Sequence, residues 1–189
     1  MKKIIFTIAL FTVCITANAQ INKDTVGLNL PVRDGQVIYT GVVEVAGKTK
    51  DNLYRSAQQW FINYFNGAKN FTQDKDEKDA LVYGRGTLNF TSGIGIGLLT
   101  SVVWGDDVTI KIECKDNKYR YSFYNMVINY VGSGYPDFDI EQVLGGVLGT
   151  QKWPWTKNAA KNVLTHNDEQ VKNAILSLKN AMGKTTTDF

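Results

Sequence analysis

The stretch T-K-D-N-L-Y-R-S-A-Q-Q-W-F-I-N-Y-F, Thr49 to Phe65, decides the reading of this chain. Leu53, Ala57, Trp60, Phe61, Tyr64 and Phe65 recur at helical spacing, and Lys50, Arg55, Gln59 and Asn63 fill the opposite side. Thr49 is a good N-cap, Asp51 sits where the helix dipole favours an acid, and Gly67 can end the run. Four aromatic rings on one stripe demand a broad apolar cover, and a sheet is the natural partner.

Working outward, the flanks supply strands. Gln36 to Ala46 alternates, with Val37, Tyr39, Val43 and Val45 against Gln36, Thr40 and Glu44, as a half-buried strand does. Asp34-Gly35 before it marks a turn, and Gln20 to Arg33 is a polar lead-in. After the helix, Ala68 to Gln73 reads as a short strand. Asp74 to Asp79, all charged, reads as a solvated hairpin tip. Ala80 to Phe90 alternates again, with Gly84 and Gly86 marking a bulge, a bend or close backbone approach. Gly93 to Trp104 has no charge and admits three readings: a strand, a lid over the sheet, or an apolar contact loop. Asp106-Asp107 closes it and reads as a turn. Val108 to Lys115 and Lys118 to Val131 then form a hairpin about Asp116-Asn117. This register sets Cys114, Ile112 and Ile110 opposite Tyr119, Tyr121 and Phe123, and Glu113 opposite Arg120.

Beyond Gly132-Ser133-Gly134, Ile140 to Leu148 is a short helix weakened by Gly145 and Gly146. Lys152 to Trp155 is an aromatic loop. Thr156 caps a helix through Leu164, and Asn167 caps a second through Met182. Lys184 to Phe189 is a frayed tail.

The N-terminus has the form of a secretory signal: Lys2 and Lys3, an apolar run Ile4 to Ile15, then Ala17-Asn18-Ala19. Cleavage after Ala19 is expected, leaving no transmembrane segment and placing the protein in the periplasm or outside the cell. The chain has 189 residues and a net charge of +3. Loss of Lys2 and Lys3 removes most of that excess. Of the two cysteines only Cys114 survives, so stability must come from core packing without an internal disulfide. Residues 36–183 form one α+β domain between the lead-in at 20–35 and the tail.

Two segments, Gly47 to Phe61 and the hairpin K-D-N-K-Y-R-Y (Lys115 to Tyr121), resemble an exported bacterial domain of unknown function described as having a TBP-like fold. The likeness spans about residues 37–125. That family would place glycine where Asn117 stands. The resemblance implies a curved antiparallel sheet gripping a long helix, here with added C-terminal helices, and it implies no catalytic residue.

Chemistry is sparse. His166 is the lone histidine, Cys114 alternates with core residues, and Asp74, Asp76 and Asp79 lack the glycine and glutamate of a calcium loop. G-I-G-I-G has no lysine or helix start after it and fails as a phosphate loop. Near-balanced, interleaved charge argues against nucleic acid. No catalytic residue, metal or cofactor is expected. The leading expectation is a non-catalytic binding module. It would hold an apolar small molecule or peptide in a sheet–helix groove lined by Trp60, Phe61, Tyr64, Tyr119, Tyr121 and Phe123. The alternative is an envelope assembly subunit or scaffold. Its protein or membrane contacts would come from Leu98, Leu99 and Trp104, or from Trp153 and Trp155. A third reading is a hydrolase with a carboxylate pair drawn from Glu44, Asp106, Asp107 and Glu113, which spacing alone does not pair.

Overall fold

The computed structural model describes residues 27–65, 72–76, 78–93, 101–131 and 136–183. The expected signal peptide, Gly67, Leu98, Leu99 and the C-terminal tail lie outside these.

The chain opens on a miniature hairpin, β1 (Val32–Arg33) and β2 (Gln36–Val37). Its turn residues Asp34 and Gly35 both take positive φ, as a tight hairpin requires. The strand expected over Gln36 to Ala46 is therefore split, with β3 covering Tyr39–Glu44. Then come α1 (Lys50–Tyr64), β4 (Thr72–Asp76), β5 (Leu81–Gly93), β6 (Ser101–Lys115) and β7 (Lys118–Tyr130). The chain ends with β8 (Phe138–Asp139), α2 (Ile140–Leu148) and α3 (Lys157–Gly183). The sheet order is β3-β7-β6-β5-β4, antiparallel throughout, with β8 beside the far half of β7.

The β6–β7 register is the one that apolar and charge matching selected: Cys114, Ile112 and Ile110 face Tyr119, Tyr121 and Phe123, and Glu113 faces Arg120. Asn125 at φ 51 is an extra residue in β7, where the ladder slips between Asp107 and Thr109. Such a bulge bends the strand and increases its twist.

Thr49 caps α1 by accepting the Asn52 N–H at 3.2 Å. A second cap comes from the β6–β7 turn. Asp116 Oδ1 accepts the Lys50 N–H at 2.7 Å, and Asn117 Oδ1 accepts the Gly47 N–H at 2.8 Å. The two segments that carry the family resemblance are thus one physical unit, a helix start clamped by a hairpin tip. Asn117 takes the left-handed conformation (φ 62) that glycine would take, and adds a bond that glycine cannot make. Asp116→Ala is expected to cost about 1 kcal/mol, a typical cap loss. Asn117→Gly is expected to cost less, because it keeps the turn. Urea midpoints of the two variants check both.

Three expectations are corrected. The strand after α1 is Thr72–Asp76, so the first half of the charged run is edge strand rather than hairpin tip. Backbone pairing with β5 does not depend on side-chain polarity, and charge on an edge discourages further pairing. Asp106-Asp107 is no turn but lies mid-strand in β6, with Asp106 buried on the inner face. The last two helices are one, α3, begun by Thr156, whose Oγ1 accepts the Ala159 N–H at 3.1 Å. Asn167 does not cap; it is fully buried within α3 and donates to Asp106.

All three helices pack on one face of the sheet. Trp60 meets Phe123, Phe65 lies on Gly86, and Trp60 Nε1–H donates to Ser177 Oγ at 3.2 Å. The rings of α1 are therefore covered by the sheet and by α3 together. Glycine in α2 follows the same logic: a side chain at Gly146 would strike Trp153 as the chain folds back. No helix among the described residues is long and apolar enough to cross a membrane.

Candidate functional site

The expected groove residues do converge between α1, the sheet and α3, but they fill the space there. Phe61 and Phe123 are fully buried, and Trp60 and Tyr119 nearly so. Trp60 stacks on Tyr64 at 5.2 Å and meets Phe61 edge-on at 5.9 Å. Tyr121 lies across the backbone of Gly41, with Lys179 Nζ 5.9 Å from its ring centre. Five of these rings are core, and Tyr64 is partly buried against it.

The contact-loop residues divide. Trp104 is fully buried on the inner face of β6, so it presents nothing to a partner. Its ring meets Trp155 edge-on at 5.2 Å and Tyr130 at 5.8 Å. Trp153 and Trp155 pack against Phe138 and each other, closing the end of the core. An apolar run bounded by acids looks the same in sequence whether it is loop or strand; pairing with β5 and β7 makes this end of it strand.

The acids near strands do not pair for hydrolysis in the way two cooperating carboxylates must. Asp106 and Asp107 point to opposite faces of β6, as adjacent strand residues do. Glu113 is held bidentately by Arg120 at 2.7 and 2.9 Å. The Arg120 bonds keep its carboxyl below the usual carboxylate range. Among the described residues no group of three metal-ligating side chains gathers. Cys114 is buried, and burial pushes its thiol up to about 12, which suppresses the reactive thiolate. Iodoacetamide is expected to leave Cys114 unmodified in the folded protein and to alkylate it fully in denaturant, as read by intact mass.

Two polar features were not legible as sites. The first joins α3 to the inner face: Asn167 Nδ2–H donates to Asp106 Oδ2 at 2.8 Å, and Tyr39 O–H donates to Asp168 Oδ1 at 2.8 Å. Lys172 Nζ meets Asp168 Oδ2 at 2.6 Å. The signal available in sequence was phase: Asp106 shares the parity of Trp104, Val108 and Ile110, and Asn167 lies in the stripe of Val163, Leu164 and Val171.

The second is the outer face of the sheet, which no helix covers among the described residues. Register aligns Tyr83 with Lys111, Ser122 and Thr40, and the next row joins Arg85, Thr109 and Tyr124. Tyr83 is 43% exposed and Val103 46%. Burial, followed by the nearby Tyr83 and Glu113, raises the Tyr124 phenol. The two tyrosines and Glu113 therefore share one patch. Thr87 O–H donates to Asp107 Oδ1 at 2.5 Å, and Arg85 Nη2 reaches the Asp107 carbonyl at 3.5 Å. The surface is thus a cross-strand array of tyrosine, cations, acids and hydroxyls.

With this geometry in view, residues 39–129 match the family described as a domain of unknown function (DUF4468) with TBP-like fold. A TBP-like protein from Parabacteroides distasonis superposes with a TM-score of 0.67 at 14% identity, covering 82% of this chain and 98% of that one. A DUF4468 family protein from Bacteroides ovatus gives 0.66 at 13% identity, covering 85% and 94%. These likenesses establish the α+β TBP-like fold. No curated protein matches the sequence.

Proposed function

We propose that this chain, whose residues 39–129 carry the TBP-like domain of unknown function, is an exported, non-catalytic binding module that meets a partner protein through the outer face of its sheet. One observation carries the reading. The strands β5, β6 and β7 bury their inner residues under three helices and turn the alternate set outward, where Tyr83, Tyr124, Arg85 and Arg120 lie on neighbouring rows and Val103 lies further along the same face of β6. Tyrosine and arginine are enriched at protein interfaces: tyrosine buries much area at small entropic cost, and the planar guanidinium of arginine donates several hydrogen bonds. The filled space between helix and sheet argues against a small apolar ligand there. The signal-like N-terminus, Lys2 to Ala19, supports export.

The test uses a photo-crosslinking residue in cells at position 83 or 103, with position 176 on the exposed side of α3 as control. A discrete protein adduct is expected from 83 and 103 and not from 176. Adding Arg85→Glu and Arg120→Glu should reduce the adduct at least about tenfold, the loss of one or two hot spots, with little change in melting temperature. No adduct from the sheet face, or equal adducts from α3, would sink the reading.

A further inference from the structure

We infer that Asp106 and Asn167 form a reciprocal acid–amide pair closed by a proton on Asp106, and that this pair fastens α3 to the sheet as a pH-sensitive clasp.

Both residues are fully buried, on β6 and on α3. One bond is in place, Asn167 Nδ2–H to Asp106 Oδ2 at 2.8 Å. The two remaining oxygens, Asp106 Oδ1 and Asn167 Oδ1, are both buried, and neither has a hydrogen-bond partner among the described residues. An ionised carboxylate and an amide carbonyl are both acceptors only, so neither can relieve the other. Two orphaned buried acceptors on groups already bonded to each other are costly. A single proton on Asp106 Oδ1 removes the problem twice: the acid gains a donor, and the amide oxygen is the acceptor it needs. Carboxyl and carboxamide then exchange two hydrogen bonds, each group donating once and accepting once.

The surroundings favour the neutral form. The cross-strand neighbours of Asp106 are Leu88 and Ile128. The ionisable groups that act on it come from several elements. Asp107 on its own strand opposes its charge, and Arg85 on β5 favours it. Tyr39 on β3 feels Asp106, and is itself held by Asp168 of α3, whose charge is met by Lys172. On β7 the Val127 backbone N–H favours the charged form but does not satisfy Oδ1. Burial is the largest influence and lifts the Asp106 carboxyl from 3.8 to about 7.

The folded protein thus keeps a proton that the unfolded chain has released. The clasp's contribution is fully present below the unfolded value of 3.8 and is lost as pH rises through about 7. Above that, a charge is stranded between α3 and β6 and the second bond of the pair is lost, while Asn167 Nδ2–H to Asp106 Oδ2 and Tyr39 to Asp168 remain.

The experiment is thermal unfolding of the full chain and of Asp106→Asn from pH 5 to 9, with the infrared band of protonated carboxyl groups recorded on both. The substituted carboxamide keeps the shape of the acid and supplies an amide–amide pair without charge. The wild type is expected to lose at least about 5 °C in Tm between pH 5.5 and 8.5, for a chain of this size. D106N is expected to stay nearly flat and to exceed the wild type at pH 8.5. The wild type should show a protonated-carboxyl band at pH 5.5 that fades around pH 7, absent from D106N. Parallel pH profiles for the two proteins would overturn the clasp, and so would the absence of that band from the wild type. The infrared titration needs only the wild type, so it decides even if D106N does not fold.

Discussion

Trp104→Ala is expected to lose about 3–5 kcal/mol of stability, the range for truncating a fully buried large side chain. The ring lies at the centre of an aromatic group, with Trp155 at 5.2 Å, Tyr130 at 5.8 Å and Trp153 at 6.5 Å. Trp153 and Trp155 are themselves locked against Phe138, so the cavity collapses poorly. Trp104 Nε1 is buried and has no hydrogen-bond partner among the described residues. Trp104→Phe deletes that orphan donor along with part of the ring, and the relief offsets some of the lost packing. It should therefore cost well under half as much as the alanine. Urea unfolding of both variants tests the pair. Near-native stability for the alanine would mean that Trp104 is a surface contact after all.

Gly86→Ala is expected to destabilise by about 1–3 kcal/mol, although alanine in a strand interior normally gains stability over glycine. The sign inverts because Phe65 lies on the glycine. A Cβ there would sit 2.5 Å from Phe65 Cε1 and 2.8 Å from Cγ. That ring cannot retreat, since Phe61 at 5.2 Å and Tyr64 at 5.1 Å hold it from the helix side. Phe65→Leu should recover much of the loss in the double variant, so the cycle gives a coupling of opposite sign to simple additivity. If Gly86→Ala and Phe65→Leu add without coupling, the close approach of helix to sheet is wrong.

The legible parts of the fold are those written in local pattern. Thr49 begins a helix because its hydroxyl reaches a backbone N–H three residues on, and nothing distant is needed. The β6–β7 register follows from cross-strand matching over a two-residue turn, so it too was readable. Gly84 and Gly86 marked a bulge, a bend or a close approach in sequence, and at Gly86 the structure makes it close approach by Phe65. The misreadings share a cause. Asp106 looked like a turn residue because an acid between apolar runs breaks a strand unless something buried receives it, and the receiver stands sixty-one residues away in α3. Asn167 looked like a cap for the same reason: its amide serves Asp106, so α3 passes through the position without stopping.

The expected groove residues meet as packed rings. Six aromatic residues at the right spacings are compatible with a lined cavity or with a filled core, and periodicity is identical in both cases. Only the placement of Phe61 against Phe65, and of Tyr121 across Gly41, shows that the rings take up the volume themselves.

By itself the sequence determined the helix at Thr49 to Phe65, the long hairpin that clamps its start, the α+β class and the family likeness, because each rests on interactions within a few residues or across one turn. Tertiary structure alone decided that the aromatic stripe packs beneath the sheet and α3, that no helix among the described residues covers the opposite face, and that a buried acid meets a buried amide. These depend on which surfaces meet after the chain has closed on itself, and no local spacing encodes that.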